Sequence, residues 1–109
     1  MIQPDQHFKL AAHAWLSKDS KFLVVRRSFK DDFMPGYWDI PGGCLDFGED
    51  PVNAAIRESK EEVGLEIKAN KLLYCHNQVY GNKHWFILIY QCEIINDNND
   101  KIIKSIDDI

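Results

Sequence analysis

The chain opens on alternation. Over residues 8–16, Phe8, Leu10, Ala12, Ala14 and Leu16 fall on one side and Lys9, His13 and Trp15 on the other. Successive side chains of a strand point to opposite faces, so the pattern predicts a β-strand with one apolar face. Turn residues fill 17–20, and the run KFLVVRR at 21–27 reads as the second strand of a hairpin. Residues 28–37 form a polar loop with a Pro35-Gly36 turn, and Trp38-Asp39-Ile40 is a short extended piece stopped by Pro41-Gly42-Gly43.

The period then changes. Val52, Ala55, Ile56, Ser59 and Val63 recur at the spacing of one helix face, with Ser59 its weak member. Asp50 suits the N-cap, Pro51 the first helical position and Gly64 the residue just past the end. After this helix, residues 65–68, 72–79 and 85–95 read as strands. The last is apolar on both faces in its first half, as in a strand covered on both sides. NDNND at 96–100 is a polar turn, and 101–109 has the composition to begin one more strand. A helix among strands predicts an α/β fold, a mixed sheet with the helix packed on it. At 109 residues this is a single domain, residues 1–109.

Composition narrows the function classes. Hydrophobic residues at 45% and charged residues at 28% describe an ordinary globular domain. A net charge of −4 argues against gripping a nucleic-acid backbone. A small phosphate-bearing substrate remains compatible, because a bound cation can supply the positive charge. Cys44, Cys75 and Cys92 match neither a redox nor a zinc spacing, so reduced thiols in a cytoplasmic protein are expected. The first residues show no signal-peptide pattern, and the longest apolar run, 85–90, is too short to cross a bilayer. His7, His13, His76 and His84 form no metal-binding pattern and read as ordinary strand or loop residues.

The chemistry lies in residues 43–65, GCLDFGEDPVNAAIRESKEEVGL. Glu58, Glu61 and Glu62 stand at i, i+3 and i+4, so their carboxylates share a helix face and repel one another unless a cation offsets them. Hard carboxylate oxygens select Mg²⁺ or Mn²⁺. Arg57, four residues before Glu61, is placed to orient it by a salt bridge. Gly42-Gly43 lets the backbone approach the same place closely.

This stretch resembles the Nudix box, G-x5-E-x7-R-E-U-x-E-E-x-G-U, with U a bulky aliphatic. Gly43, Glu49, Arg57, Glu58, Glu61, Glu62 and Gly64 all match, and Ser59 departs at the first U position. Seven fixed residues match by chance on the order of 10⁻⁸ per starting point. The flanking run from Phe22 through Tyr37-Trp38-Asp39-Ile40-Pro41-Gly42 is similar to the family's path into the box.

The resemblance implies a Nudix-like α/β/α sandwich and Mg²⁺- or Mn²⁺-dependent hydrolysis of a pyrophosphate bond in a nucleoside diphosphate derivative, a (d)NTP or oxidised (d)NTP first. Alternatives are an ADP-ribose or dinucleoside polyphosphate hydrolase, or a nucleotide-binding module without turnover. It implies a metal-binding and base cluster of Glu58, Glu61 and Glu62, with the carbonyl of Gly42 as a further ligand and Arg57 and Glu49 holding the cluster. Gly43 and Arg27 are expected to meet substrate phosphates, and Phe33 and Tyr80 to stack on a base, with Tyr37, Phe47 and Trp85 as further candidates. The family's late strand and C-terminal helix have no counterpart before Ile109, so a shortened C-terminus is expected. Sheet surface left uncovered there would favour a homodimer. Asp97, Asp100, Asp107 and Asp108 are the stand-ins for a late acidic ligand.

Overall fold

Alternation and helical period each produce the element they predict. The structure, a computed structural model, describes residues 3–18, 20–26, 29–30 and 36–96. The elements are β1 (His7–Lys18), β2 (Lys21–Phe22), β3 (Val25–Arg26), β4 (Trp38–Asp39), β5 (Gly42–Cys44), α1 (Pro51–Val63), β6 (Glu66–Tyr80) and β7 (Lys83–Asn96). The main sheet runs β2-β1-β7-β6, with β5 also paired to β1, and β3-β4 form a separate two-stranded ribbon. β1 and β7 are parallel, while β5–β1 and β6–β7 are antiparallel, so the sheet is mixed. A parallel pair needs a crossover. Here that crossover carries β5 and α1, which is how the glycine loop and the helix come to lie beside β1.

Helix α1 is delimited as its sequence predicts. Asp50 Oδ1 accepts from the Val52 N–H at 2.8 Å, Pro51 occupies the first turn, and Gly64 closes the helix in a left-handed conformation. Its inner face is small: Ala54, Ala55, Ser59 and Val63 are buried. Ala54 and Ala55 lie on Ala12 of β1, and Val63 joins Ala14, Leu16, Leu23, Leu65, Ile67 and Cys92 in the main core. Alanine on both sides lets the helix backbone approach the sheet closely, because no long side chain separates them.

Several expectations need correction. The run at 21–27 is not one strand: β2 pairs with β1 and β3 with β4, because Leu23 between them turns into the core. The two expected strands at 65–68 and 72–79 are one long strand, β6, with register shifts between Ala69 and Lys71 and between Leu72 and Tyr74. On β1 the apolar face is covered only from Ala12 onward; Phe8 and Leu10 are 55% and 50% exposed, outside the cover of α1. The face read as polar is closed where β5 pairs alongside, and His13, the register partner of Gly42, is buried there at 7% exposure. β7 is central in order yet only half-buried over residues 84–91. One helix is present among the described residues, on one face of the sheet. The readings for residues 97–109 lie outside the described residues. No helix of the described residues is long and apolar enough to cross a membrane.

Ser59 occupies the aliphatic position of the motif at 0% exposure, and its Oγ has no hydrogen-bond partner. A buried hydroxyl without a partner costs about 1–3 kcal/mol. Ser59→Ala is therefore expected to stabilise the fold by about 1 kcal/mol, raising Tm by roughly 4–8 °C for a domain of this size. Thermal unfolding checks this, and a lower Tm would contradict it.

Candidate functional site

The site is built where β5 is pressed between β1 and α1. Gly43 is the register partner of Ala12 and Gly42 that of His13. The Ala14 N–H donates to Pro41 O at 2.8 Å and the Leu45 N–H to Leu10 O at 3.1 Å, which fixes the loop at both ends. A Cβ on Gly42 would lie 2.6 Å from His13 Cα, and one on Gly43 would lie 2.7 Å from the carboxyl carbon of Glu58. At Gly42 the neighbour is β1 backbone, so only hydrogen fits, whereas at Gly43 it is the movable carboxyl end of Glu58. The close approach that the glycine pair suggested is therefore to Glu58 on one side and to β1 on the other.

Arg57 projects from α1 back over this loop. Its Nε donates to Glu49 Oε2 at 2.8 Å and its Nη2 to Glu49 Oε1 at 3.0 Å, a bidentate pair. Nη1 donates to Glu58 Oε1 at 3.1 Å and to Glu61 Oε2 at 3.2 Å, and Nη2 also reaches Cys44 O at 3.2 Å. Glu49 in turn accepts from the Asp46 N–H at 3.0 Å. One guanidinium thus ties the end of β5, the loop before the helix and two of the helix carboxylates together. The Arg57 hydrogen bonds, aided by the Asp46 N–H, hold the Glu49 carboxyl down at about 2, and the same pairing holds Arg57 above its ordinary value.

Glu62 faces the other side of the loop. Its Oε1 lies 3.4 Å from the Gly42 N–H, a long contact. Although much of the residue is open to solvent by area, its carboxyl is crowded by the loop. Loss of solvation pushes it up to about 7, and the charges of Glu58 and Asp39 add to the shift against the Gly42 N–H. Two carboxylates, Glu58 and Glu62, therefore converge on the Gly42-Gly43 backbone, Glu58 paired with Arg57 and Glu62 without a cationic partner in this arrangement.

As the side chains stand, no three His, Cys, Asp or Glu residues among the described residues are gathered closely enough to hold a metal ion. Arg57 Nη1 engages both Glu58 and Glu61 in this arrangement. The donor set nevertheless fits a hard divalent cation: carboxylate oxygens beside a glycine loop, one of them on a carboxyl that loss of solvation and neighbouring carboxylates hold up. Glu58, Glu62 and the Gly42 carbonyl would hold it, with Glu61, whose side chain is 59% exposed, free to turn toward it.

On the far side of the same loop a cavity of about 220 Å³ is lined by His13, Asp39, Gly42, Gly43, Tyr80 and Trp85, among others. Tyr80 and Trp85 are thus placed beside the loop, while Tyr37 and Phe47 are exposed and do not line this cavity. Arg27 and Phe33 lie outside the described residues. Arg26 is engaged with its own loop, donating to Gly36 O at 3.0 Å and lying over the rings of Phe29 and Trp38. A larger cavity of about 310 Å³, bounded by Phe8, Val79 and His84, has no carboxylate side chain in its lining. His13 and Asp39 were not singled out by the sequence reading. The available signal was the pairing of His13 with Gly42, which is visible only once β5 is known to pair with β1.

The arrangement is a carboxylate helix clamped to a glycine loop beside a mixed sheet. The NUDIX domain model matches residues 7–107, and the chain belongs to that family. It is 34% identical over 75 residues to the 8-oxo-dGTP diphosphatase of Proteus vulgaris, covering 69% of this chain and 66% of that protein. It is 37% identical over 67 residues to the ADP-ribose pyrophosphatase of Methanocaldococcus jannaschii, covering 62% and 38%. The chain thus spans between 38% and 66% of the lengths of these two curated relatives. Among solved structures, the MutT protein from Methanosarcina mazei Go1 superposes with a TM-score of 0.79 at 22% identity, over 87% of this chain and 70% of that one. The MutT NUDIX hydrolase from Burkholderia pseudomallei gives 0.75 at 23%, over 89% and 74%. These likenesses show the Nudix fold.

Glu49 yields a test with a definite sign. Its pKa in the folded protein, about 2, lies below the ordinary value of 4.5, so its contribution to stability is complete above about 4.5 and is lost as pH falls toward 2. Glu49→Gln is expected to lower Tm at pH 7 and to flatten the Tm–pH curve between 4.5 and 2. Equal slopes for the two proteins across that window would contradict the Arg57–Glu49 clamp.

Proposed function

We propose that this chain hydrolyses a pyrophosphate bond in a nucleoside diphosphate derivative with the help of Mg²⁺ or Mn²⁺, a (d)NTP or oxidised (d)NTP being the substrate that fits best. The observation that carries the reading is the convergence of Glu58 and Glu62 on the Gly42-Gly43 backbone under the Arg57 clamp. A divalent cation bound there supplies charge neutralisation for the phosphate oxygens and acidifies water. The chain's own residues do the rest. Glu58, Glu61, Glu62 and the Gly42 carbonyl hold the cation, and Arg57 and Glu49 keep the loop and helix in register. One glutamate of this cluster accepts the proton of the attacking water.

The cavity beside the loop supports a substrate that extends beyond its phosphates into a ring. Its volume of about 220 Å³ lies below the roughly 300 Å³ of typical small-molecule sites, which suits one ring system rather than a whole ligand. The name of the Proteus vulgaris relative favours (d)NTPs, and that of the Methanocaldococcus jannaschii relative keeps ADP-ribose as the alternative. Two free thiols are exposed, Cys44 and Cys75, in keeping with a reducing, cytoplasmic setting. Exposed Leu72, Leu73, Tyr74 and Val79 along β6 support a homodimer.

Turnover is measured with Mg²⁺ on (d)NTPs, 8-oxo-dGTP, ADP-ribose and diadenosine tetraphosphate, with Glu62→Gln alongside. The expected result is hydrolysis of the nucleoside triphosphate class, reduced at least about a hundredfold by the substitution. Because the ionised Glu62 is disfavoured in the metal-free fold, the same variant is expected to melt higher than the parent at pH 8 without metal. A folded protein silent on every substrate would leave only the reading as a binding module.

A further inference from the structure

His13 is the one histidine of the chain that is buried, and nothing in the proposed hydrolysis uses it. It stands on β1 opposite Gly42, at 7% exposure, and its ring lines the cavity beside the loop. Nδ1 lies 3.0 Å from Ile40 O. A carbonyl only accepts, so Nδ1 carries the proton, and in the neutral ring Nε2 is left with a lone pair. That nitrogen has no protein partner among the described residues, and it is not sealed from the cavity, since the one fully enclosed unsatisfied side-chain atom described is Ser59 Oγ. A neighbour of like kind stands beside it. Asp39 also lines the cavity, and its Oδ1 accepts from the Ile40 N–H at 2.8 Å. Both side chains are thus anchored on the two polar groups of Ile40, one on the carbonyl and one on the N–H.

The lining is completed by Ala11, Ile87, Cys44, the Gly42-Gly43 loop and two aromatic residues with polar tips, Trp85 and Tyr80. Gln78 also lines the cavity, and with its Oε1 turned to His76 at 3.4 Å its amide NH₂ is left as a donor. The pair of acceptors anchored on Ile40, with the Gln78 amide among the donors of the lining, is matched by a ring that offers adjacent N–H donors beside an oxo group. Adenine-type rings, with an acceptor nitrogen next to the amine, would set a lone pair against a carboxylate.

We infer that His13 is a specificity-determining residue, whose Nε2 accepts a hydrogen bond from an N–H on the ring held in this cavity, with the Asp39 carboxylate as the second acceptor, so that the cavity selects an amino-oxo purine. The inference rests on the proposed nucleotide substrate but not on turnover. A polar site built for a donor rejects analogues lacking it far more strongly than an apolar pocket rejects a missing methylene, because its buried acceptors are left unpaired.

Calorimetric titration of the protein in Mg²⁺ with GMP, IMP and AMP reads this without hydrolysis. IMP differs from GMP only in lacking the exocyclic amine. The parent protein is expected to bind GMP about tenfold or more tightly than either IMP or AMP. His13→Asn keeps a donor for Ile40 O and removes the acceptor, so the GMP preference should collapse to within threefold while Tm holds. His13→Gln, which returns an amide toward the Nε2 position, should recover part of the preference. Asp39→Asn should also narrow it. Equal binding of the three nucleotides by the parent, or absence of binding to all three at millimolar concentration, overturns the inference. So does an equal loss for all three in His13→Asn, since that would make His13 a support for the loop only. Failure to hydrolyse any triphosphate, with the GMP preference intact, overturns the proposed reaction and leaves this inference standing.

Discussion

The guanidinium of Arg57 is the point through which the site is organised. Glu49 before the helix, Glu58 and Glu61 on it, and the Cys44 carbonyl at the end of β5 all meet this one group. Arginine suits the task because its planar fork donates in several directions at fixed angles, and a lysine ammonium cannot reproduce a bidentate bond to Glu49 together with contacts to the helix. The hydrogen bonds also sort the carboxylates. Glu49 is stabilised as an anion and serves structure, while Glu62, outside the clamp, carries a charge the fold leaves unbalanced. That division separates a carboxylate that serves structure from one placed to take up a cation.

The clamp would hold nothing useful without the strand it presses upon. β5 is three residues long and lies against β1 on one side and Glu58 on the other, with no space for a Cβ at Gly42 and the Glu58 carboxyl close against Gly43. The alanine contact of Ala54 and Ala55 on Ala12 brings α1 down close enough for Glu58 to reach Gly43. Small residues in the core and glycines in the loop are therefore parts of one requirement, a short distance between helix and sheet. Ser59 is the place where that economy fails, with a polar atom carried into the core without a partner.

The box was legible because its residues interact locally. Asp50, Pro51 and Gly64 bound the helix by rules that act within one turn, and Arg57 lies four residues from Glu61, so the pattern could be read without knowing the sheet. The register of β1 was less legible. Alternation placed His13 on the polar face, but its burial depends on β5 pairing there, a contact between residues about thirty apart in sequence. Asp39 was passed over for the same reason. Leu23 shows the opposite failure: a continuous β-prone run is broken because one side chain is drawn into the core, a tertiary preference that outweighs local propensity. β6 was split in two by its register shifts, which interrupt the alternation while the strand continues.

The account makes Arg57 an organiser of ligands rather than a mere counter-charge, and Mn²⁺ binding separates the two. The measurement is the Mn²⁺ dissociation constant by electron paramagnetic resonance, for the parent and for Arg57→Gln, without nucleotide. Removing a positive charge beside a cation site should tighten binding if only charge matters. If Arg57 holds the loop and carboxylates in place, its loss should weaken binding by about tenfold or more, as with other groups that orient metal ligands. Weaker binding by Arg57→Gln is the predicted result. Equal or tighter binding would contradict the claim that this clamp builds the site.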